Sequence, residues 1–183
     1  MKILVGVTGA SGAPFTIEFL RRCRSEKFLV FSRWGREVFF EETGLKQTEI
    51  ETLVTKVFKD EDLRAPFSSG SNFFDAFVIL PCSTSTMGKI AAGFGDTLIT
   101  RCAQVALKER RRLVLCLRET PLSSLQLENA LKLSREGAVI MPASPPFYNL
   151  PKSLDELVAG YAERVLQILG LPSEFHYRED ELD

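Results

Sequence analysis

Ile3-Leu4-Val5-Gly6-Val7-Thr8-Gly9-Ala10-Ser11-Gly12-Ala13-Pro14 decides the fold. Its apolar, β-branched start reads as a buried strand, and Gly6, Gly9 and Gly12 let the backbone turn sharply and lie close to a ligand. Pro14 suits the first turn of the helix that follows, Phe15–Ser25, where its missing N–H costs nothing. Strand, Gly-Ser loop and helix in succession aim the free N–H groups and positive end of that helix at whatever sits above the strand. That is a seat for an anion such as phosphate, with the Ser11 hydroxyl beside it. The stretch is not a Walker A loop, because no Lys-Ser or Lys-Thr follows at the required spacing, and it is not a full G-x-G-x-x-G. A tight strand-to-helix connection with no ligand has the same pattern.

Outward from this stretch, the chain has 183 residues, 45% hydrophobic and 26% charged, with a net charge of −1. That is the composition of one soluble globular domain, which buries roughly 70% of its unfolded surface. Basic residues are matched by acidic ones, so nucleic acid is not expected as a partner. The four cysteines, Cys23, Cys82, Cys102 and Cys116, form no C-x-x-C, and His176 is the sole histidine. No metal site is expected, and the thiols read as reduced ones in a cytoplasmic protein. No apolar run approaches ~18 residues and the chain opens directly into a strand, so neither secretion nor membrane spanning is expected. Residues 1–172 are expected to form one α/β domain, with 173–183 a polar, acidic tail, loose or used in assembly.

Phe28–Phe31 reads as a second strand ending at Ser32, a helix cap or a ligand contact, and Trp34–Glu42 as a helix. Glu42 shares a face with Val38 and Phe39, and a negative charge at a helix end is unfavourable. Either it is solvated beside Glu41 or something else holds it. Thr48–Phe58 has weak helical periodicity, and in the polar connection Lys59–Asn72 the run Ser68-Ser69-Gly70-Ser71 has the composition of a linker. Ala76–Pro81 is a third strand, apolar on both faces. It runs into Cys82-Ser83-Thr84-Ser85-Thr86-Met87-Gly88, where one helix cap needs one hydroxyl and the surplus suggests a second ligand-binding loop.

In the helix Thr97–Arg110, Arg101 and Lys108 lie two turns apart on one stripe, able to clamp a phosphate or simply to form a solvated basic face. Leu113–Leu117 is a fourth strand, followed by Arg118-Glu119-Thr120-Pro121. Ser123 and Gln126 have capping-box spacing for the helix Ser124–Arg135. Gly137–Met141 is a fifth strand, followed by a Pro-rich loop to Tyr148 and Asn149. Ser153 and Glu156 open the last helix, Leu154–Leu169, where Arg164 joins Leu157, Tyr161, Val165 and Ile168 on one stripe. An arginine there is expected to face an anion, an acidic side chain or a subunit interface.

Five strands alternating with helices predict a parallel sheet wound on both sides, with ligands beyond the carboxyl ends of the strands at the switch in strand order. Ser11, Ser32, Ser83–Thr86, Arg118-Glu119 and Tyr148 all fall at such ends. Their convergence predicts one nucleotide-sized site with a phosphate-binding floor.

Six segments taken together resemble the UbiX-type flavin prenyltransferases: Gly6–Ala13, Ser69-Gly70-Ser71, Pro81-Cys82-Ser83-Thr84, Ala106-Leu107-Lys108-Glu109-Arg110-Arg111, Leu117-Arg118-Glu119-Thr120-Pro121 and Gly137–Pro142. The resemblance runs in order from Lys2 to about Pro172. It implies a flavodoxin-like Rossmann fold, a three-layer α/β sandwich with a mainly parallel sheet. It further implies transfer of a dimethylallyl group from dimethylallyl phosphate to reduced FMN, closing a ring across N5 and C6. The prenylated FMN would serve UbiD-type decarboxylases, with ubiquinone biosynthesis the pathway implied, and the family uses no metal. A homo-oligomer, usually a dodecamer with sites shared between subunits, is also implied.

Carried over by motif, FMN would be held by Gly9, Ala10, Ser11, Ser32, Ser83, Thr84, Ser85, Thr86 and Arg101. Lys108, Arg118, Tyr148 and Arg164 would clamp the prenyl phosphate, with Glu42 and Glu119 completing the polar shell. Ser11, Glu119 and Lys108 would be catalytic, the first two in proton handling at N5. Departure of phosphate leaves an allylic cation, so such a site must hold a leaving dianion with fixed positive donors and flank the cation with π-surface. Three positions depart from the family pattern: Asn149 where histidine is common, Arg33-Trp34-Gly35 in place of a Lys-Ala-Ala-like run, and Leu63 where some members carry an aromatic residue. Two other readings compete. An FMN-dependent decarboxylase of peptidyl or pantothenoyl cysteine needs a histidine in the N-terminal part of the chain, where this sequence has none. A non-catalytic FMN carrier would not need the phosphate clamp.

Overall fold

The computed structural model describes residues 1–174. The chain runs β1 (Lys2–Val7), α1 (Ala13–Arg22), β2 (Glu26–Phe31), α2 (Arg33–Thr43), α3 (Gln47–Glu51), β3 (Lys56–Lys59) and β4 (Ala76–Cys82). It continues through α4 (Thr84–Ala91), α5 (Leu98–Lys108), β5 (Arg112–Leu117), α6 (Ser124–Arg135), β6 (Val139–Pro142) and α7 (Leu154–Leu169). The six strands form one parallel sheet in the order β3-β2-β1-β4-β5-β6. This is the expected flavodoxin-like α/β architecture, and its strand order reverses between β1 and β4.

The alternation of side chains along buried strands builds two cores. Ile3, Val5, Val7, Val78, Leu80, Val114 and Cys116 face one layer, where they meet Ile17, Phe19 and Leu20 of α1, Phe39 of α2 and Tyr161, Val165 and Leu169 of α7. Leu4, Phe77, Ile79, Leu113 and Leu115 face the other, against Met87 and Ile90 of α4, Leu98, Ile99 and Cys102 of α5, and Leu133 of α6. All four cysteines are buried and free.

The sheet has one strand more than the sequence reading gave. Within Thr48–Phe58 only α3 is helical; Lys56–Lys59 instead pairs with β2, Phe28 opposite Lys56 through Phe31 opposite Lys59. A strand of four residues is too short to show a period of two against the helical pattern before it.

Helix ends follow the local chemistry. Gly12 adopts a φ of 126°, outside the range of most side chains, and lets α1 start directly above β1 with a proline in its first turn. The Ser32 hydroxyl accepts from the Gly35 N–H at 3.0 Å and caps α2. Gly44, left-handed with φ 64°, stops α2. The Ser123–Gln126 box forms at α6. At α7 only half of the expected box forms: Ser153 caps the Glu156 N–H, while the Glu156 carboxylate accepts from Lys152 N at 2.7 Å.

The stripe on α7 needs correction. Tyr161 and Val165 are buried, but Arg164 is exposed and donates to Gln167 at 3.0 Å. The inward charge is its neighbour Glu163, 3% exposed, which pairs with Arg22 at 2.7 Å and accepts from Glu174 N at 2.7 Å. Burial opposes its ionisation, yet bonds from Ser173, Arg22 and Glu174 N–H, with the Arg22 charge, hold its carboxyl below the ordinary glutamate value. Residues 175–183 of the tail, with His176, lie outside the described residues.

Candidate functional site

One buried hydroxyl joins the two loops at the switch point. Thr8 Oγ1 donates to the Pro81 carbonyl at 2.8 Å and accepts from Ser83 N at 2.7 Å. Main-chain bonds add Thr8 N to Pro81 O (3.2 Å), Ser32 N to Val7 O (2.9 Å) and Arg118 N to Cys82 O (3.1 Å). The carboxyl ends of β2, β1, β4 and β5 are thus tied in a row. Glycines let α2 lean on this row: a Cβ at Gly35 would overlap the Val7 carbonyl, and one at Gly9 would stand 2.7 Å from the Trp34 Cβ. Neither Thr8 nor Gly35 was singled out from the sequence. The available signal was a threonine directly after an apolar strand, where a buried hydroxyl must find partners.

Glu42 is the centre of the site. Its Oε2 accepts the backbone N–H of Gly12 at 2.9 Å and of Ala13 at 2.8 Å, and its carboxylate also bonds the Ser11 side chain. Burial works against the charge, but these bonds and the nearby Arg118 guanidinium leave the carboxyl below its ordinary value. The seat read from the sequence as one for phosphate is therefore filled by the protein's own carboxylate. This also answers what holds Glu42: the N-terminal dipole of α1. Ser11 and Glu42 open onto a groove of about 810 Å³ whose other walls include Phe15, Ile17, Leu45 and Leu154.

The second loop commits only part of its polar groups to its own helix cap. Ser83 Oγ accepts from Thr86 N at 3.2 Å and donates to Thr86 Oγ1 at 3.0 Å, which uses two of the four hydroxyls. The first-turn N–H groups of Thr84 and Ser85 have no acceptor within α4. Ser32 accepts a bond as a cap, and among the described residues its own O–H has no acceptor. Glu119 is exposed and turns back to accept from Thr120 N at 3.0 Å. Tyr148 stands 54% exposed on the loop after β6.

Arg101 and Lys108 bond other segments of the chain. Arg101 Nε donates to Ser68 O at 3.0 Å, and Lys108 ion-pairs with Glu109 beside Gly70. Lys108 closes α5 next to the start of β5, while Arg118 follows its end, ~17 Å away at about 3.3 Å per residue. The run 68–72 is no loose linker: Arg111 donates to Gly70 O (2.6 Å) and Asn72 O (2.9 Å), its guanidinium over the Phe73 and Phe74 rings. One subunit thus brings together Gly9–Ser11, Ser32, Glu42, Ser83–Thr86, Arg118 and Glu119, while Arg101 bonds Ser68, Lys108 pairs with Glu109 at the opposite end of β5 from Arg118, and Arg164 bonds Gln167.

The profile of the Flavoprotein family matches residues 1–168. The flavin prenyltransferase UbiX of Thermoplasma acidophilum is 46% identical over 175 residues, 95% of this chain and 97% of its own. A crystal structure of AnUbiX (PadA1) in complex with FMN and dimethylallyl pyrophosphate superposes with a TM-score of 0.92 at 41% identity, covering 96% of this chain and 97% of that one. A dodecameric FMN-dependent Ubix-like decarboxylase from Escherichia coli O157:H7 gives 0.92 at 39%, covering 97% and 99%.

Proposed function

The chain belongs to the Flavoprotein family and, within it, to the UbiX flavin prenyltransferases, and on that premise we propose how its residues divide the reaction. The activity is transfer of a dimethylallyl group to reduced FMN, joined through N5 and C6. The observation that carries the assignment of roles is the Ser11–Glu42–Arg118 cluster beside the switch between β1 and β4.

The donors present fit FMN. Ser32 and the first turn of α4 offer O–H and N–H groups suited to a phosphate and a ribityl chain, and Gly9, Ala10 and Ser11 line the same opening. When bound, the flavin supplies the nucleophilic N5 and C6 and a π-face for the allylic cation. Arg118 holds the leaving phosphate and is kept in place electrostatically by Glu42. The N5–C1 bond would replace the C1–O bond to phosphate with loss of the N5 proton, and ring closure would take up one proton at the alkene carbon C2 of the dimethylallyl group as C3 bonds C6 and the C6 proton is lost. Ser11, hydrogen-bonded to Glu42, is placed to relay the N5 proton, which gives Glu42 a share in the proton handling first assigned to Ser11 and Glu119. Glu119 reaches the substrate by a side-chain rotation off Thr120 N.

Arg101 and Lys108, with Tyr148 and Arg164, complete the flavin and prenyl-phosphate contacts through assembly, each facing the cluster of a neighbouring subunit. The dodecamer described for the Escherichia coli relative supports this arrangement. Residues 1–172 act as one flavin-binding unit, and the product passes to a UbiD-type decarboxylase in the cytoplasm, as ubiquinone biosynthesis would require. AnUbiX was crystallised with the pyrophosphate donor, so both dimethylallyl phosphate and dimethylallyl pyrophosphate are to be offered. The test is anaerobic incubation with reduced FMN and each donor, then mass analysis of the extracted flavin. A gain of one prenyl unit is expected; unmodified, tightly bound flavin with intact donor would turn the reading to a carrier.

A further inference from the structure

Resting on the division of roles given above, we propose that Thr8 is a positioning residue for prenyl transfer, one that sets the separation between the flavin contacts at Ser83–Thr86 and the Ser11–Glu42 proton relay. Thr8 is 1% exposed, so it acts through its neighbours and not by contact with flavin or donor. All of its polar groups are engaged. The hydroxyl donates to Pro81 O at 2.8 Å and accepts from Ser83 N at 2.7 Å. The backbone N–H also donates to Pro81 O, at 3.2 Å, and the backbone carbonyl accepts from Ala10 N at 2.7 Å.

These bonds run in two directions. The carbonyl bond turns Gly9-Ala10 back on the end of β1 and so places the next residue, Ser11, whose side chain bonds Glu42. The hydroxyl bond places Ser83, the cap of α4, and with it the first-turn N–H groups of Thr84 and Ser85. A threonine suits the post because its branched Cβ stiffens χ1 and fixes the hydroxyl relative to the backbone that leads to Ser11. Without the hydroxyl, Ser83 N–H loses its acceptor and must turn to water, and the start of α4 shifts with it. Binding of flavin and donor is spread over many contacts, whereas a misplacement of about 1 Å at the reacting atoms costs on the order of 100-fold in rate. The loss therefore falls on the chemical step. A second buried threonine gives the comparison: Thr16 of α1 is 0% exposed and donates to Leu80 O at 2.7 Å. It ties α1 to the same strand end, one residue before Pro81, and its bond does not reach the α4 loop.

The test compares wild type with Thr8→Val, Thr8→Ser, Thr8→Ala and Thr16→Val as assembled protein, under anaerobic conditions with saturating reduced FMN and each dimethylallyl donor. Thr8→Val keeps the shape and removes the hydroxyl; kcat for prenylated flavin is expected to fall about 30-fold while the KM for donor changes by less than about twofold. Thr8→Ser keeps both hydroxyl bonds and should stay within about threefold of the wild-type kcat. Thr16→Val loses a buried bond of the same kind, so its melting temperature should fall as far as that of Thr8→Val, with kcat within about twofold of wild type. Thr8→Ala carries the same expectation as Thr8→Val and is read in its place should the valine variant not fold. An unchanged kcat in Thr8→Val overturns the positioning role, as does a loss confined to KM. A loss in Thr8→Ser or in Thr16→Val as large as that in Thr8→Val also overturns it. A wild-type protein that forms no prenylated flavin from either donor would instead overturn the reading of the site itself.

Discussion

The Ser11–Glu42–Arg118 cluster and the Arg101–Lys108 ridge carry the same kinds of side chain and differ in what completes them. The cluster is closed within the chain: two backbone N–H groups and a hydroxyl converge on one carboxylate, with the Arg118 charge nearby. The ridge is open, its two cations exposed and held by the 68–70 segment and by Glu109. A proton-handling centre has to be exact to a few tenths of an ångström, and tied loop ends on a sheet supply that. A phosphate clamp depends mainly on charge and tolerates delivery from another subunit.

The largest effect that would break this contrast is Gly35→Ala. The new Cβ meets the Val7 carbonyl, which cannot move without shifting β1, so about 3 kcal/mol of stability should be lost, together with flavin binding, in thermal melts and titrations. Next is Glu42→Gln, which keeps the shape and removes the charge. Prenylated flavin should form roughly 100-fold more slowly while FMN affinity changes only a few-fold. Lys108→Ala should leave flavin affinity unchanged and raise the KM for the prenyl donor about tenfold. Mixed oligomers sharpen the point: at low donor concentration, co-refolded Glu42→Gln and Lys108→Ala subunits should form product faster than either homo-oligomer, and failure to do so would place both residues in one subunit's site.

The smallest effect concerns acid. Glu42 and Glu163 both have carboxyls held below the ordinary value near 4.5, so the folded state binds fewer protons there than the unfolded one. Their stabilisation is complete above pH 4.5 and is lost as pH falls through the depressed values. Asp60, raised by burial, works in the opposite direction. Glu163→Gln should lower stability by about 1 kcal/mol at neutral pH and flatten the acid limb of a melting-temperature profile.

The sequence made the strands and loop ends legible because buried parallel strands read as continuous apolar runs and polar residues are then conspicuous at their ends. Ser11, Ser32 and Ser83–Thr86 stood out in this way. The edge strand Lys56–Lys59 did not, since half of it is lysine and it lacks the apolar continuity of a central strand. The partner of Glu42 was unreadable for a different reason. Its donors Gly12 and Ala13 lie 30 and 29 residues away and bond through the backbone, which has no sequence signature. Glu163 was hidden by its neighbour: periodicity placed Arg164 on the stripe, one residue from the acid that faces inward.

Arg22 and Glu163 join residues 141 apart in the chain, and the Phe15 ring packs at a tilt against Tyr161, 4.7 Å between ring centroids. On a ribosome, α1 is therefore made well before the helix that covers it. At ~5–20 residues per second, its apolar face waits roughly seven to thirty seconds for α7 to be made, an interval in which a chaperone that binds short amphipathic helices has its best access to the chain.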